Sequence, residues 1–347
     1  MSTPQKKQDL WAAYQSLPPK LRFVVQACAL VGEPAQEATL VSCLFPPPTS
    51  QSWPTATEKN LLAALTELAE KNLLKNGCTC RKEILELVAH DARKYPYFPA
   101  LATAIKLAWP TPTPEENPAP EFLWRRALRD LRLSLLTTDE TGYNHNLLRL
   151  LELQEEFPDR FPENPLLTLC GNPFDPPWFA GLPLHVELYA LHQIFLDGLL
   201  HLAEITLPLE YLEDKRFLKS LPAKNREPFS YLLTSHLLIR GQTRAASAWL
   251  STSQQQGVPL GVRGWQQFLA GETPLAIRCY EEDLAKIRKA NQNEQAYFTG
   301  VEGLFFLMAL LKNGDYTTHQ QVRDIIRNIE EIQPHNLFLP VYTLLMA

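Results

Sequence analysis

The chain has 347 residues, 45% hydrophobic and 20% charged, values that exclude wholesale disorder and leave room for two or three domains. Its net charge of −5 is uneven. Residues 1–109 hold twelve Lys and Arg against nine Asp and Glu, a net +3, and the rest carries −8; this is too mild a contrast to demand nucleic acid.

Only 14 glycines but 29 prolines suit helices joined by stiff connections better than a sheet of tight hairpins, and Leu-rich runs at helical spacing recur throughout. The opening MSTPQKKQDLW lacks an apolar signal region, and the longest apolar stretches, 23–31 and 303–311, fall short of the ~20 residues that span a bilayer. Six scattered cysteines read as reduced thiols. A cytoplasmic protein with no membrane partner is expected.

In chain order, Pro18 and Pro19 predict a helix start, with Leu21, Val24, Val25, Cys28 and Ala29 on its face and Gly32 as its stop. A short helix around Ala38, Val41 and Leu44 follows, then the loop PPPTSQSWP. A third helix from Thr57 aligns Leu61, Leu62, Leu65 and Leu68. LLKNGCTC then places two short β-capable pieces around Asn76-Gly77, a hairpin signal, before a helix over 84–92. Three helices and a hairpin is the winged-helix order, so residues 1–109 are expected to form a winged-helix-like module. The presumed recognition helix, 57–72, carries Glu58, Lys59, Glu67, Glu70 and Lys71. Such a mixture is poor for a duplex and better suited to protein contacts.

PTPTPEENPAP, residues 110–120, reads as a semi-rigid linker. Beyond it, 121–225 is expected to be an irregular helical region with helices over 122–136, 145–154, 185–205 and 209–221. The stretch 157–183, with seven prolines among Phe157, Phe161, Phe174, Trp178 and Phe179, keeps no period; it is expected to be a packed plug or a functional loop.

In EFLWRRALRDLRLSLL, Arg125, Arg129 and Arg132 fall at i, i+4 and i+7, with Arg126 beside them. Three guanidiniums on one face suit phosphates or an acidic partner, and an ordinary face paired with acidic neighbours is the alternative. Cys78, Cys80 and His90 lack the second ligand pair that zinc wants. His185 and His192 share one face of a helix and His201 lies on the opposite side, so the three cannot converge. No GxSxG, HExxH, GxGxxG or GKT/GKS motif occurs, so neither a catalytic constellation nor a cofactor is expected.

Residues 226–347 show a repeated pattern: a helix, a glycine turn, then alanine at +5 and a large apolar residue at +9. Gly241, Ala246 and Leu250 fit it, as do Gly271, Ala276 and Tyr280, with Gly264 seven residues before the second turn. Gly314 starts a third copy in which His319 occupies the small position. The pattern resembles tetratricopeptide (TPR) repeats, degenerate and with an insertion at 290–295, and implies a helical-repeat solenoid with Trp265, Phe268, Tyr280, Phe305 and Phe306 in its core. The ending NLFLPVYTLLMA has no polar cap, so a fragment of a longer protein, or an end that pairs with another chain, is expected.

Residues 263–315, RGWQQFLAGETPLAIRCYEEDLAKIRKANQNEQAYFTGVEGLFFLMALLKNGD, resemble the N-terminal helical region of large bacterial SWI/SNF-like helicases, with Gly303, Leu304 and Phe305 as the Gly-Leu-Phe core of the last helix. The resemblance implies a non-catalytic accessory region of a DNA-dependent ATPase. Its expected partners are its own ATPase motor or another protein, or the DNA backbone. The alternative is the ligand- or peptide-sensing repeat region of a STAND-type signalling or transcriptional regulator.

Overall fold

A computed structural model of the chain describes residues 4–34, 36–44, 57–76, 78–112, 118–214, 221, 223–252, 260–293, 296–314 and 316–346. The protein is all-α: nineteen helices and one two-stranded hairpin occur among the described residues. None of these helices is long and apolar enough to cross a membrane. The chain forms two compact units, Met1–Glu187 and Leu188–Ala347.

The first unit is built around α2 (Pro19–Val31), in which every residue from Phe23 to Val31 is buried. Pro18 and Pro19 start it and Gly32 ends it in the left-handed region, φ 68°, its N–H returning to Cys28 O. Around it lie α1 (Pro4–Gln15), α3 (Glu37–Leu44), α4 (Glu58–Glu70), α5 (Leu85–Ala92) and α6 (Phe98–Ala108). Gln26, fully buried on α2, donates to Tyr14 OH at 2.8 Å and Asp91 Oδ2 at 3.2 Å, and accepts from Tyr97 OH. This polar knot ties α1, α2, α5 and the start of α6 in one register.

The hairpin signal holds: β1 (Leu74–Lys75) and β2 (Thr79–Cys80) pair antiparallel, with Asn76 at φ 49° in the turn and Gly77 outside the described residues. The loop 45–56 also lies outside them.

The compact units divide the chain at a different place from the expected modules. Residues 113–117 of the Pro-rich segment lie outside the described residues, but α7 (Pro120–Thr137) beyond it belongs to the first unit, and the division between units falls at Glu187–Leu188. Neither 109 nor 226 is a unit boundary. The physical reason is a row of ion pairs from α7 to residues 33–86, described below.

After α7, Asp139 caps α8 (Glu140–Glu156) by accepting from Gly142 N–H at 3.0 Å. The aperiodic stretch 157–183 is a packed plug containing α9 (Pro165–Gly171) and α10 (Pro176–Phe179), each with proline at its start and capped by Asn164 or Asp175. Phe161, Phe174, Trp178 and Phe179 are buried. Trp178 meets the His90 ring edge-on at 4.4 Å, and Asp175 accepts from Arg93 at 2.9 Å, so the plug is fastened to α5.

The boundary between units falls within α11 (Leu184–His201). The second unit continues with α12 (Thr206–Glu213), α13 (Ala223–Ile239), α14 (Thr243–Thr252), α15 (Leu260–Leu269), α16 (Thr273–Asn291), α17 (Gly300–Asn313), α18 (Tyr316–Ile332) and α19 (Leu339–Leu344). Gly241 and Gly271 turn between helices at φ 71° and 89°, and Ala246 and Ala276, five residues on, are fully buried. A Cβ on Gly264 would stand 2.8 Å from the Tyr280 ring and 3.0 Å from Ala276 O, so α15 and α16 approach at backbone distance.

The third copy departs from the pattern. Gly314 is extended, φ −99°, and His319 is exposed, so a different turn sets a different face of α18 against α17. Gln292 ends α16 at φ 50°.

Candidate functional site

The arginines of α7 are the residues that the sequence singles out for contact with phosphate or an acidic partner. Only Arg125 is exposed, its Nε donating to Glu121 O at 3.2 Å. Arg129 is 1% exposed; it donates to Asp130 Oδ1 through Nε at 2.8 Å and through Nη2 at 2.6 Å, and to Trp109 O at 2.6 Å. Arg132 grips Glu86 of α5 with two parallel bonds, Nε to Oε2 at 2.9 Å and Nη2 to Oε1 at 2.7 Å. Its Nη1 lies 2.8 Å from where a Cβ on Gly32 would stand, at the C-terminal end of α2 where a cation is favoured. Arg126 lies 2.9 Å from Glu33, and burial raises the Glu33 carboxyl pKa against the pull of that arginine.

The stripe is therefore an internal seam. Its acidic partners are Glu33, Glu86 and Asp130 of the same unit, and Arg129 and Arg132 have no surface to offer a phosphate. On α4 the charged residues Glu58, Lys59, Glu67 and Glu70 are all exposed while Leu61, Leu65 and Leu68 are buried, leaving a surface of mixed sign.

The remaining sequence candidates have local roles. Burial pushes the Cys78 and Cys80 thiols up to about 11 and about 12, the reverse of a thiolate poised for metal. Among the described residues no three His, Cys, Asp or Glu side chains are placed to hold a metal ion. His90, its pKa lowered by burial, packs on Trp178 with Nε2 3.4 Å from Leu169 O. His185 meets Tyr143 OH at 3.2 Å, and His201 meets Asp197 at 2.9 Å. Trp265, Tyr280 and Phe306 are core residues, and Phe305 stacks on Trp265 at 4.7 Å.

A cavity of about 390 Å³ is lined by Leu199 of α11, Tyr231 and Ser235 of α13, Trp265 of α15, Glu302 of α17 and Phe338 before α19, among others. The volume lies within the range of small-molecule sites. Glu302 Oε2 accepts from Tyr231 OH at 3.3 Å, whereas Oε1 is buried without a partner among the described residues. Trp265 is 1% exposed, and its Nε1–H has no acceptor among the described residues. Burial and the nearby Asp283 carboxylate push Glu302 up to about 7.

A Cβ on Gly261 would run into Glu302 Oε1, and the N–H of the same glycine donates to Asp283 Oδ2 at 3.1 Å. Two carboxylates thus flank one glycine. The sequence does hold a signal for this site: Glu302 is the only acid in the apolar run 298–311.

No protein-family model, curated protein or solved structure matches the chain. The functional reading therefore rests on its own residues.

Proposed function

We propose that the chain is a non-catalytic accessory region of a bacterial SWI/SNF-like DNA-dependent ATPase, cytoplasmic, with a winged-helix-like N-terminal module and degenerate TPR-like repeats. It acts by protein contact and controls when the motor engages DNA. The observation that carries this reading is the close α15–α16 approach at Gly264, Ala276 and Tyr280, inside the 263–315 block that resembles this family. Gly303 of the Gly-Leu-Phe core adds to it: a Cβ there would stand 2.7 Å from Tyr342 OH. The helix order α2, α3, α4 and the β1–β2 hairpin support the winged-helix-like part.

Internal pairing of Arg129 and Arg132, together with the mixed charge of α4, argues for protein as the partner in preference to DNA backbone. The test adds the purified chain to an isolated bacterial SWI/SNF-like motor and follows DNA-stimulated ATP hydrolysis. A saturable change of several-fold is expected; an unchanged rate at micromolar chain would sink the proposal.

The cavity favours a second reading, a ligand- or peptide-sensing repeat region of a STAND-type regulator. The coding sequence around this region separates the two: a helicase motor downstream supports the first, a STAND ATPase upstream the second.

A further inference from the structure

Where α11 and α13 end, the second unit has a pocket of about 340 Å³. Leu202, Ala203 and Glu204 form one side of it, and His236, Ile239 and Arg240 the other. The volume lies within the range of small-molecule sites. Its two charged side chains are open to a ligand, Glu204 being exposed and Arg240 partly so.

These two charges do not pair with each other. Arg240 donates to Thr206 Oγ1 from Nη1 at 3.5 Å and from Nη2 at 3.4 Å, both long bonds. The same hydroxyl donates to Glu204 Oε1 at 3.0 Å. One hydroxyl thus holds a guanidinium and a carboxylate on either side of it, close enough for one small ligand to reach both. Among the described residues neither charge has an ion-pair partner.

His236 adds no third charge. Phe195 O can only accept, so the 2.9 Å contact places the ring proton on Nε2 and leaves a lone pair on Nδ1. Burial lowers the pKa of this imidazole, which is neutral at neutral pH.

Leu202 supplies the apolar rim. It ends α11 in the left-handed region at φ 51°, where Ala203 N–H returns to Gly198 O at 3.1 Å. Glycine is free to adopt that conformation and leucine is strained in it. The strained residue is also 60% exposed, so its side chain is kept over the pocket rather than in the core.

We propose that this pocket binds a free α-amino acid with an apolar side chain, its carboxylate on Arg240, its ammonium on Glu204 and its side chain along Leu202, Ala203 and Ile239. The lining carries one cation and one anion, and a zwitterion offers the complement of both. A lone carboxylate would meet the charge of Glu204, and a lone amine that of Arg240. The C-terminal end of α11 also favours the ammonium. The site depends on neither reading of the parent protein.

The experiment titrates the full chain by calorimetry with L-leucine, with 4-methylpentanoate, which lacks only the amino group, and with isopentylamine, which lacks only the carboxylate. Saturable binding of leucine is expected, with each comparator at least about tenfold weaker. Glu204→Gln and Arg240→Gln, checked for helix content by circular dichroism, should each weaken leucine by about tenfold. Their selectivities should move in opposite directions: Glu204→Gln closes the gap to 4-methylpentanoate, and Arg240→Gln the gap to isopentylamine. A merely structural effect would weaken all three probes alike. Should Arg240→Gln fail to fold, the exposed Glu204→Gln and the three probes on the unaltered chain decide. Either comparator binding as tightly as leucine, a uniform loss in Glu204→Gln, or no saturable binding because the pocket holds water only would each overturn the proposal.

Discussion

At the scale of single residues, α7 shows how one spacing serves opposite ends. Arg125, Arg129 and Arg132 share a helical face whether that face meets solvent or protein, and the spacing cannot distinguish the two. The bidentate bonds from Arg132 to Glu86 link α7 to α5 across 46 residues of sequence. Removing one member of such a pair leaves the other charge buried and unpaired. Arg132→Ala is therefore expected to destabilise the first unit by about 3–5 kcal/mol, whereas exposed Arg125→Ala should stay within about 0.5 kcal/mol of the parent. Urea unfolding of the two variants side by side checks this. Equal losses would mean that the seam does not hold α7 in place.

At the scale of elements, glycines mark two different constraints. Gly241 turns at φ 71° with open space around its Cβ position, so only backbone conformation requires glycine there. Gly264 is inside a helix, and its requirement is steric contact with the Tyr280 ring. Gly241→Ala should cost about 1–2 kcal/mol, and Gly241→Asn less, because asparagine tolerates the left-handed region. Gly264→Ala should cost about 1–3 kcal/mol through overpacking, with no relief from asparagine. Unfolding midpoints for the four variants separate the two mechanisms; recovery at 264 by asparagine would refute the steric account. The plug at 157–183 belongs to this scale as well. Its prolines break any period in the sequence, yet Pro165 and Pro176 begin helical turns, the second of which buries Trp178 and Phe179.

At the scale of the whole molecule, buried His236 and half-buried Glu302 of the second unit set opposing responses to pH. His236, with Nε2 2.9 Å from Phe195 O, has its pKa lowered by burial from 6.5 to about 4. It must be neutral in the folded chain, so its contribution is complete above about 6.5 and is lost as pH falls through about 4. Glu302, raised from 4.5 to about 7, behaves in the reverse sense. Its contribution is complete below about 4.5 and is lost as pH rises through about 7. The two slopes largely cancel between these limits. Glu302→Gln should expose the histidine slope and raise stability at about pH 8 by about 2 kcal/mol, and His236→Gln should expose the opposite slope. Denaturant titrations from about pH 4 to about pH 8 read both; parallel profiles for parent and variants would show that neither group is buried in its charge-disfavouring site.

The sequence by itself determined the local features. The helix start at Pro19, the stop at Gly32, the hairpin at Asn76, the glycine turns at 241 and 271 and the burial of Ala276 and Tyr280 all follow from backbone chemistry or from a period within a few residues. Tertiary structure decided everything that depends on partners distant in sequence. It joined α7 to the first unit through Glu33 and Glu86, and so turned a presumed surface stripe into a seam. It also brought Tyr231, Trp265 and Glu302, from three separate helices, around one cavity. The physical reason is range: capping and periodicity act over one or two helical turns, whereas burial of a charge is settled by which distant carboxylate packs against it.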